Sequence, residues 1–140
     1  MKRLLFVCVE NSCRSQIAEA FARIHGNGAV EIYSAGSRPS GVIHPAAVES
    51  MREVGYDLTR HESKALTDLP NVEYDVVVTM GCGDACPAVR AAQREDWNLP
   101  DPKTLPPAEF RRIRDLIEIK VTTLLTRLNA SFPPITTGRT

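Results

Sequence analysis

The feature that most constrains this chain lies at its start. Leu4-Leu5-Phe6-Val7 is an unbroken apolar run, followed at once by Cys8-Val9-Glu10-Asn11-Ser12-Cys13-Arg14-Ser15. From Gln16 to His25, Ile17, Phe21 and Ile24 recur at helical spacing. A buried strand therefore passes into a helix through a tight loop, with Cys8 ending the strand and Arg14 and Ser15 opening the helix. A loop in that position turns backbone N–H groups inward, and Val9, Glu10, Asn11, Ser12, Cys13 and Arg14 are the residues that supply it. The helix N-terminus adds positive potential. Together they make a cradle for an oxyanion. A cysteine at the rim has its thiolate stabilised and is a stronger nucleophile. Arg14 adds a fixed fork of donors suited to tetrahedral oxyanions. Ser15 is placed to donate to the Cys8 thiolate as well as to serve as an ordinary helix cap. The chemistry reads as a thiolate attacking the central atom of a bound oxyanion. A buried, inert Cys8 with a surface Arg14 would leave both the junction and Ser15 unexplained.

The rest of the chain supplies a frame for that junction. Its 140 residues fit one domain with a proper core. Gly26-Asn27-Gly28 stops the first helix, and Val30 to Ala35 alternates as a strand does. Pro45 opens a helix running to about Val54, with Gly55 as its cap. Arg60 to Pro70 is polar and irregular, with one helical turn expected at Ser63 to Leu66. Tyr74 to Met80 carries Val76-Val77-Val78, a strand buried on both faces. A short helix is expected over Ala88 to Gln93 and a last strand over Glu95 to Leu99. After Pro106-Pro107, Phe110, Ile113, Leu116, Ile117, Val121, Leu124, Leu125 and Leu128 form one helical stripe.

Strands alternating with helices predict a single-domain α/β fold, a mainly parallel four-stranded sheet flanked by helices. The domain is expected over residues 1–130, with 131–140 a loose tail. Loops at the carboxyl ends of parallel strands gather on one edge, where ligands bind. Cys8, Cys82 and Asp101 all follow expected strands and can converge there.

Charge is balanced, with 17 basic and 17 acidic residues, so bulk electrostatics point to no nucleic-acid or membrane partner. No apolar run is long enough to span a bilayer and none reads as a signal peptide, so the chain is expected to be cytoplasmic, and to act as a monomer. The four cysteines then argue for catalysis, redox chemistry or metal rather than a disulfide framework.

The segment Val7 to Gln16 resembles the active-site loop of the thioredoxin-coupled arsenate reductases, which share a fold with the low-molecular-weight protein tyrosine phosphatases. The resemblance runs from Leu4 to about Leu128. It implies an arsenate reductase that uses no cofactor. Arsenate would bind in the loop, with phosphate or sulfate as competitors. Glu10 departs from the pattern, standing where many relatives carry glycine, and its side chain is expected to point outward. Asn11 is expected to hold the loop's shape, as its family counterpart does.

Cys82-Gly83-Asp84-Ala85-Cys86-Pro87 is the second motif. Two thiols so spaced can form a disulfide if the segment bends, and Gly83 helps. Such a pair can regenerate an oxidised catalytic thiol by exchange. The resemblance implies that Cys82 attacks the Cys8 adduct, that Cys86 then attacks Cys82, and that thioredoxin or another thiol donor reduces the Cys82–Cys86 disulfide. It also implies that Asp101, in Leu99-Pro100-Asp101-Pro102, protonates the leaving oxygen. Taken alone, Asp101 would be a turn residue.

Zinc held by Cys8, Cys13, Cys82 and Cys86 is disfavoured by the Cys8-x4-Cys13 spacing and by Arg14 beside it, so no metal is expected. Cys13 reads as a bland buried thiol. Some relatives hold potassium near the loop. Asn11, Glu19 and Ser34 match three of its ligands, but the fourth falls near Lys64, whose ammonium would fill the cation's place. No potassium site is expected. His25, His44 and His61 read as surface or loop residues. Two rival readings stay open: a phosphatase of the low-molecular-weight class, and a non-enzymatic redox or oxyanion sensor. Against the phosphatase, Lys103-Thr104-Leu105 follows Asp101-Pro102 where that class usually carries tyrosines to stack on a phosphotyrosine ring.

Overall fold

Strand β1 spans Lys2–Cys8, β2 Val30–Gly36, β3 Tyr74–Thr79 and β4 Ala91–Asp96. All pair in parallel, in the order β2-β1-β3-β4. Helix α1 spans Arg14–Gly26, α2 Pro45–Arg52 and α3 Pro107–Ala130. The computed structural model describes residues 1–26, 28–80 and 89–130. Cys82 and Cys86, and the expected tail from Ser131, lie outside the described residues.

Period-two alternation divides the core. Leu4, Phe6 and Cys8 point into the larger cluster, with Ile17 and Phe21 of α1, Met51 of α2, and Ile113, Ile117, Val121 and Leu124 of α3. Leu5 and Val7 point into a smaller one with Ala35, Tyr74 and Val77. Leu66, Leu69 and Val72, from the segment before β3, pack on that smaller cluster. The helices thus share one face: α1 packs on α3, and α2 touches both. Ile24 and Leu116, expected on apolar stripes, are 41% and 39% exposed. Each lies at the edge of its helix's buried face, where i+3 spacing has drifted off the seam.

β1 lies in the middle of the sheet. The chain leaves it for β2 on one side and returns to β3 on the other. Parallel sheets open a crevice at the carboxyl edge where the winding reverses in this way. The loop after Cys8 opens into that crevice.

Two local expectations are corrected. Ala91 to Gln93, expected to end a short helix, instead open β4, and the strand expected over Glu95 to Leu99 ends at Asp96. Ala-Ala-Gln-Arg favours a helix by propensity. Pairing with the free edge of β3, from Tyr74 opposite Ala91 to Thr79 opposite Asp96, overrides it. The polar side chains of β4 suit an edge strand, since they discourage further pairing. The helical turn expected at Ser63 to Leu66 falls instead at Leu66–Asp68, as a single 3-10 turn, with another at Leu58–Arg60. Residues 63–65 are held extended beside the loop: Gly36 N–H donates to Lys64 O at 2.8 Å, and Ala65 bridges Gly36 in parallel. Helix α2 ends at Arg52 rather than Val54, and Gly55 turns the chain with φ 84°.

Candidate active site

The loop takes its shape from where its carbonyls go. Val9 O accepts from Arg38 N–H at 2.8 Å, Glu10 O from Ser40 N–H at 3.1 Å and from the Ser63 hydroxyl at 2.9 Å, and Ser12 O from His44 N–H at 2.9 Å. Asn11 O accepts from Gln16 Nε2 at 3.0 Å. In a trans peptide the next N–H points opposite to its carbonyl. The N–H groups of Glu10, Asn11, Ser12 and Cys13 are thereby turned away from those partners. A pocket of about 240 Å³ opens at the loop, lined by Cys8, Val9, Glu10, Ser12, Cys13, Arg14, Asp101 and Lys103.

Asn11 is the hub behind the pocket. It is fully buried and has φ 51°, in the left-handed region that asparagine tolerates better than most residues. Its Nδ2 donates to Ser15 Oγ at 2.8 Å and to Ser34 Oγ at 3.0 Å. Its Oδ1 accepts from Gln16 Nε2 at 2.9 Å and from Lys64 N–H at 2.8 Å. Both faces of the amide are used, as a buried polar side chain requires. Ser15 Oγ lies 2.9 Å from Cys8 Sγ. Because that oxygen already accepts from Asn11, its one proton is free for sulfur, which favours sulfur as the acceptor.

The network continues inward. Ser34 donates to Glu19 Oε1 at 2.6 Å, and Arg23 pairs with Glu19 at 2.8 Å. Lys64 Nζ stands 4.0 Å from Glu19 Oε1 and donates to Glu62 O at 2.9 Å. Gln16 Nε2 also donates to Glu62 O, so Gln16 Oε1 is an acceptor and His61 Nδ1, 2.9 Å away, carries the proton. His61 Nε2 then accepts from the Tyr56 hydroxyl at 2.6 Å. Burial holds the His61 imidazole below its ordinary value, with Glu19 opposing that shift. His61 had no sequence signal beyond its type: it is a loop residue, but its side chain is buried behind the loop. His44 caps α2 and stacks on Phe110, and His25 pairs with Glu118 at 2.7 Å.

Gly36 was also invisible as a site residue. A Cβ there would stand 2.5 Å from Val9 O and 2.9 Å from Asn11 N. Both are backbone atoms of the loop, so only glycine lets the loop lie against β2.

At the far rim, Arg14 Nη1 donates to Leu99 O at 2.9 Å, and its Nη2 lies 3.9 Å from Asp101 Oδ2. Asp101 is the N-cap of the 3-10 turn Pro102–Thr104, accepting from Lys103 N–H at 3.1 Å. The same turn carries the Lys103 ammonium, which pairs with Glu10 Oε1. That contact holds the Glu10 carboxyl below its usual range and raises Lys103. Burial foremost, with the nearby Asp101 and Cys8 charges, pushes the Cys13 thiol well up, and Arg14 only partly offsets this. A thiol so held stays protonated and inert.

Cys8, Arg14 and Asp101 therefore meet at one pocket, and Ser15, fully buried, contacts the Cys8 sulfur without lining it. Among the described residues there is no group of three or more His, Cys, Asp or Glu side chains that could hold a metal ion. No helix among them is long and apolar enough to cross a membrane.

A parallel sheet whose first strand ends in such a cysteine-headed loop defines a known class. The family model described as low molecular weight phosphotyrosine protein phosphatase matches residues 3–133, and the chain belongs to this family, beside its arsenate reductases. The chain is 38% identical to the glutaredoxin arsenate reductase of Synechocystis sp., over 92% of this chain and 100% of that one. A solved structure of an arsenate reductase in a phosphate-binding state is 38% identical, with a TM-score of 0.83, over 91% of this chain and 98% of the other. A thioredoxin-dependent arsenate reductase of Corynebacterium glutamicum is 32% identical, with a TM-score of 0.79, over 94% of this chain and 64% of that one.

Proposed function

We propose that this protein reduces arsenate to arsenite. The observation that carries the chemistry is the contact from Ser15 Oγ to Cys8 Sγ at 2.9 Å, beside a small pocket that Cys8, Arg14 and Asp101 line. The similarity to arsenate reductases over nine-tenths of the chain supports arsenate as the oxyanion.

In this reading the loop amides and Arg14 hold arsenate by its oxygens. The Cys8 thiolate attacks arsenic, and an oxygen leaves as water with a proton from Asp101. The Cys82 thiolate then attacks Cys8 Sγ. A disulfide forms, the sulfur–arsenic electron pair goes to arsenic, and arsenite departs. Cys86 attacks Cys82 and frees Cys8 as a thiolate. The Cys82–Cys86 disulfide takes two electrons from thioredoxin, glutaredoxin or another thiol donor. The protein would act as a monomer in the cytoplasm, where such donors keep thiols reduced. The same loop, with Arg14 and Asp101, would hydrolyse a phosphate ester slowly, since that reaction needs neither Cys82 nor Cys86.

The test is arsenate reduction coupled in turn to thioredoxin, glutaredoxin and small thiols. Steady arsenite production with at least one protein donor is expected. Hydrolysis of phosphate esters with no arsenite from any donor would overturn the assignment.

A further inference from the structure

The pair Glu10–Lys103 joins two elements that otherwise meet only around the pocket: the loop after β1 and the 3-10 turn Pro102–Thr104. Both residues line the pocket with Cys8 and Arg14. Their side chains are 44% and 26% exposed, so the pair lies at the solvent side of the pocket, not at its floor. The pocket's 240 Å³ falls below the roughly 300–1,000 Å³ of ordinary small-molecule sites. Behind the pair, a small free oxyanion still meets the amides, Arg14 and the sulfur. An ester of the same oxyanion must pass its organic group out through the mouth. A charged pair across that mouth offers an aryl ring neither a stacking face nor an apolar wall.

We propose that the Glu10–Lys103 pair is a bar across the pocket mouth that admits free oxyanions and turns away their aryl esters. It sets the substrate class of the site, and so rests on the reading of that site as one for inorganic arsenate. The bar is an exposed ion pair, so its effect is modest and is weakened by salt.

The experiment compares the protein with Glu10→Gln, Lys103→Met and the double variant. Two quantities are read: kcat/KM for p-nitrophenyl phosphate, and the inhibition constant of inorganic phosphate, an oxyanion the thiols do not reduce, against that hydrolysis. Neither requires arsenate to be reduced, so a failed reductase assay and a failed bar are distinguishable. Circular dichroism of each variant checks that the fold is kept. Multiplying the two quantities gives the preference for ester over free oxyanion. We expect it to rise by about two- to fivefold in each single variant, the span an exposed pair can supply. The double variant should rise no further than the larger single, because both remove the same bar. An unchanged preference in both single variants, or single effects that multiply in the double, would overturn the proposal.

Discussion

The loop from Cys8 to Ser15 and the extended segment 61–65 build one site between them, but they do different work. The loop presents the sulfur, the inward amides and the guanidinium. The segment touches the same loop from behind: Ser63 on Glu10 O, Lys64 N–H on Asn11 Oδ1, and His61 on Gln16. The loop carries a motif, and the segment carries none. Chemistry needs particular side chains at fixed spacing, so it leaves a pattern in the sequence. Bracing needs only donors and acceptors within reach, and many sequences supply those.

Substitutions in the two regions should therefore differ in kind. Cys8→Ser should abolish arsenite production while leaving the fold intact, because an alcohol is a far poorer nucleophile near neutral pH. Arsenite assays with circular dichroism check both halves, and substantial turnover would remove Cys8 from the chemistry. Arg14→Lys keeps the charge but loses the fork. Its kcat/KM should fall by roughly ten- to hundredfold, the range for hydrogen bonds to a charged partner. Unchanged kinetics and unchanged oxyanion inhibition would show that Arg14 does not grip the substrate.

Bracing residues should show their effect in stability as much as in rate. Gly36→Ala puts a methyl group against Val9 O and Asn11 N. Urea unfolding should show a loss of about 1–3 kcal/mol, as for other overpacked sites. Phosphate inhibition should weaken alongside it as the loop shifts. Equal stability and inhibition would mean that the loop tolerates displacement from β2.

The smallest expected effect comes from His61→Gln, and its signature is a pH slope. His61 titrates below its ordinary value of 6.5 in the folded protein, chiefly because of burial. Below pH 6.5 the unfolded chain takes up a proton that the folded state refuses. The stability His61 contributes is therefore present above 6.5 and is lost as pH falls through its lowered folded value. Glutamine cannot ionise, so urea midpoints of the variant should fall less steeply between pH 7 and pH 5.5 than those of the parent. Parallel slopes would place the pH dependence elsewhere.

The same division separates what was legible in the sequence from what was not. β1 and β3 are apolar on both faces, and their burial specifies them without reference to a partner. β4 is polar and exists because β3 offers an open edge, information that lies elsewhere in the chain. Cys8, Arg14, Ser15 and Asp101, which the structure brings close together, are marked in the sequence by one loop motif and an Asp-Pro. Gly36 and His61 were missed: one matters for the side chain it lacks, and the other makes its contacts through Gln16 and Tyr56. In the sequence Lys103 stands out only as the residue after Asp101-Pro102, and its contact with Glu10 appears only once the two loops are brought together.

The most direct measurement of the central claim is arsenite released per enzyme by Cys86→Ser, with thioredoxin as donor and mass spectrometry of alkylated peptides to locate any disulfide. If Cys8 attacks arsenic and Cys82 resolves the adduct, about one arsenite should be released per enzyme, and the chain should stall with a Cys8–Cys82 disulfide. Cys82→Ser, run beside it, should release little arsenite, and slow phosphatase activity should survive in both reduced variants. Full multiple turnover by Cys86→Ser and Cys82→Ser alike would contradict the account and move the protein toward its phosphatase relatives.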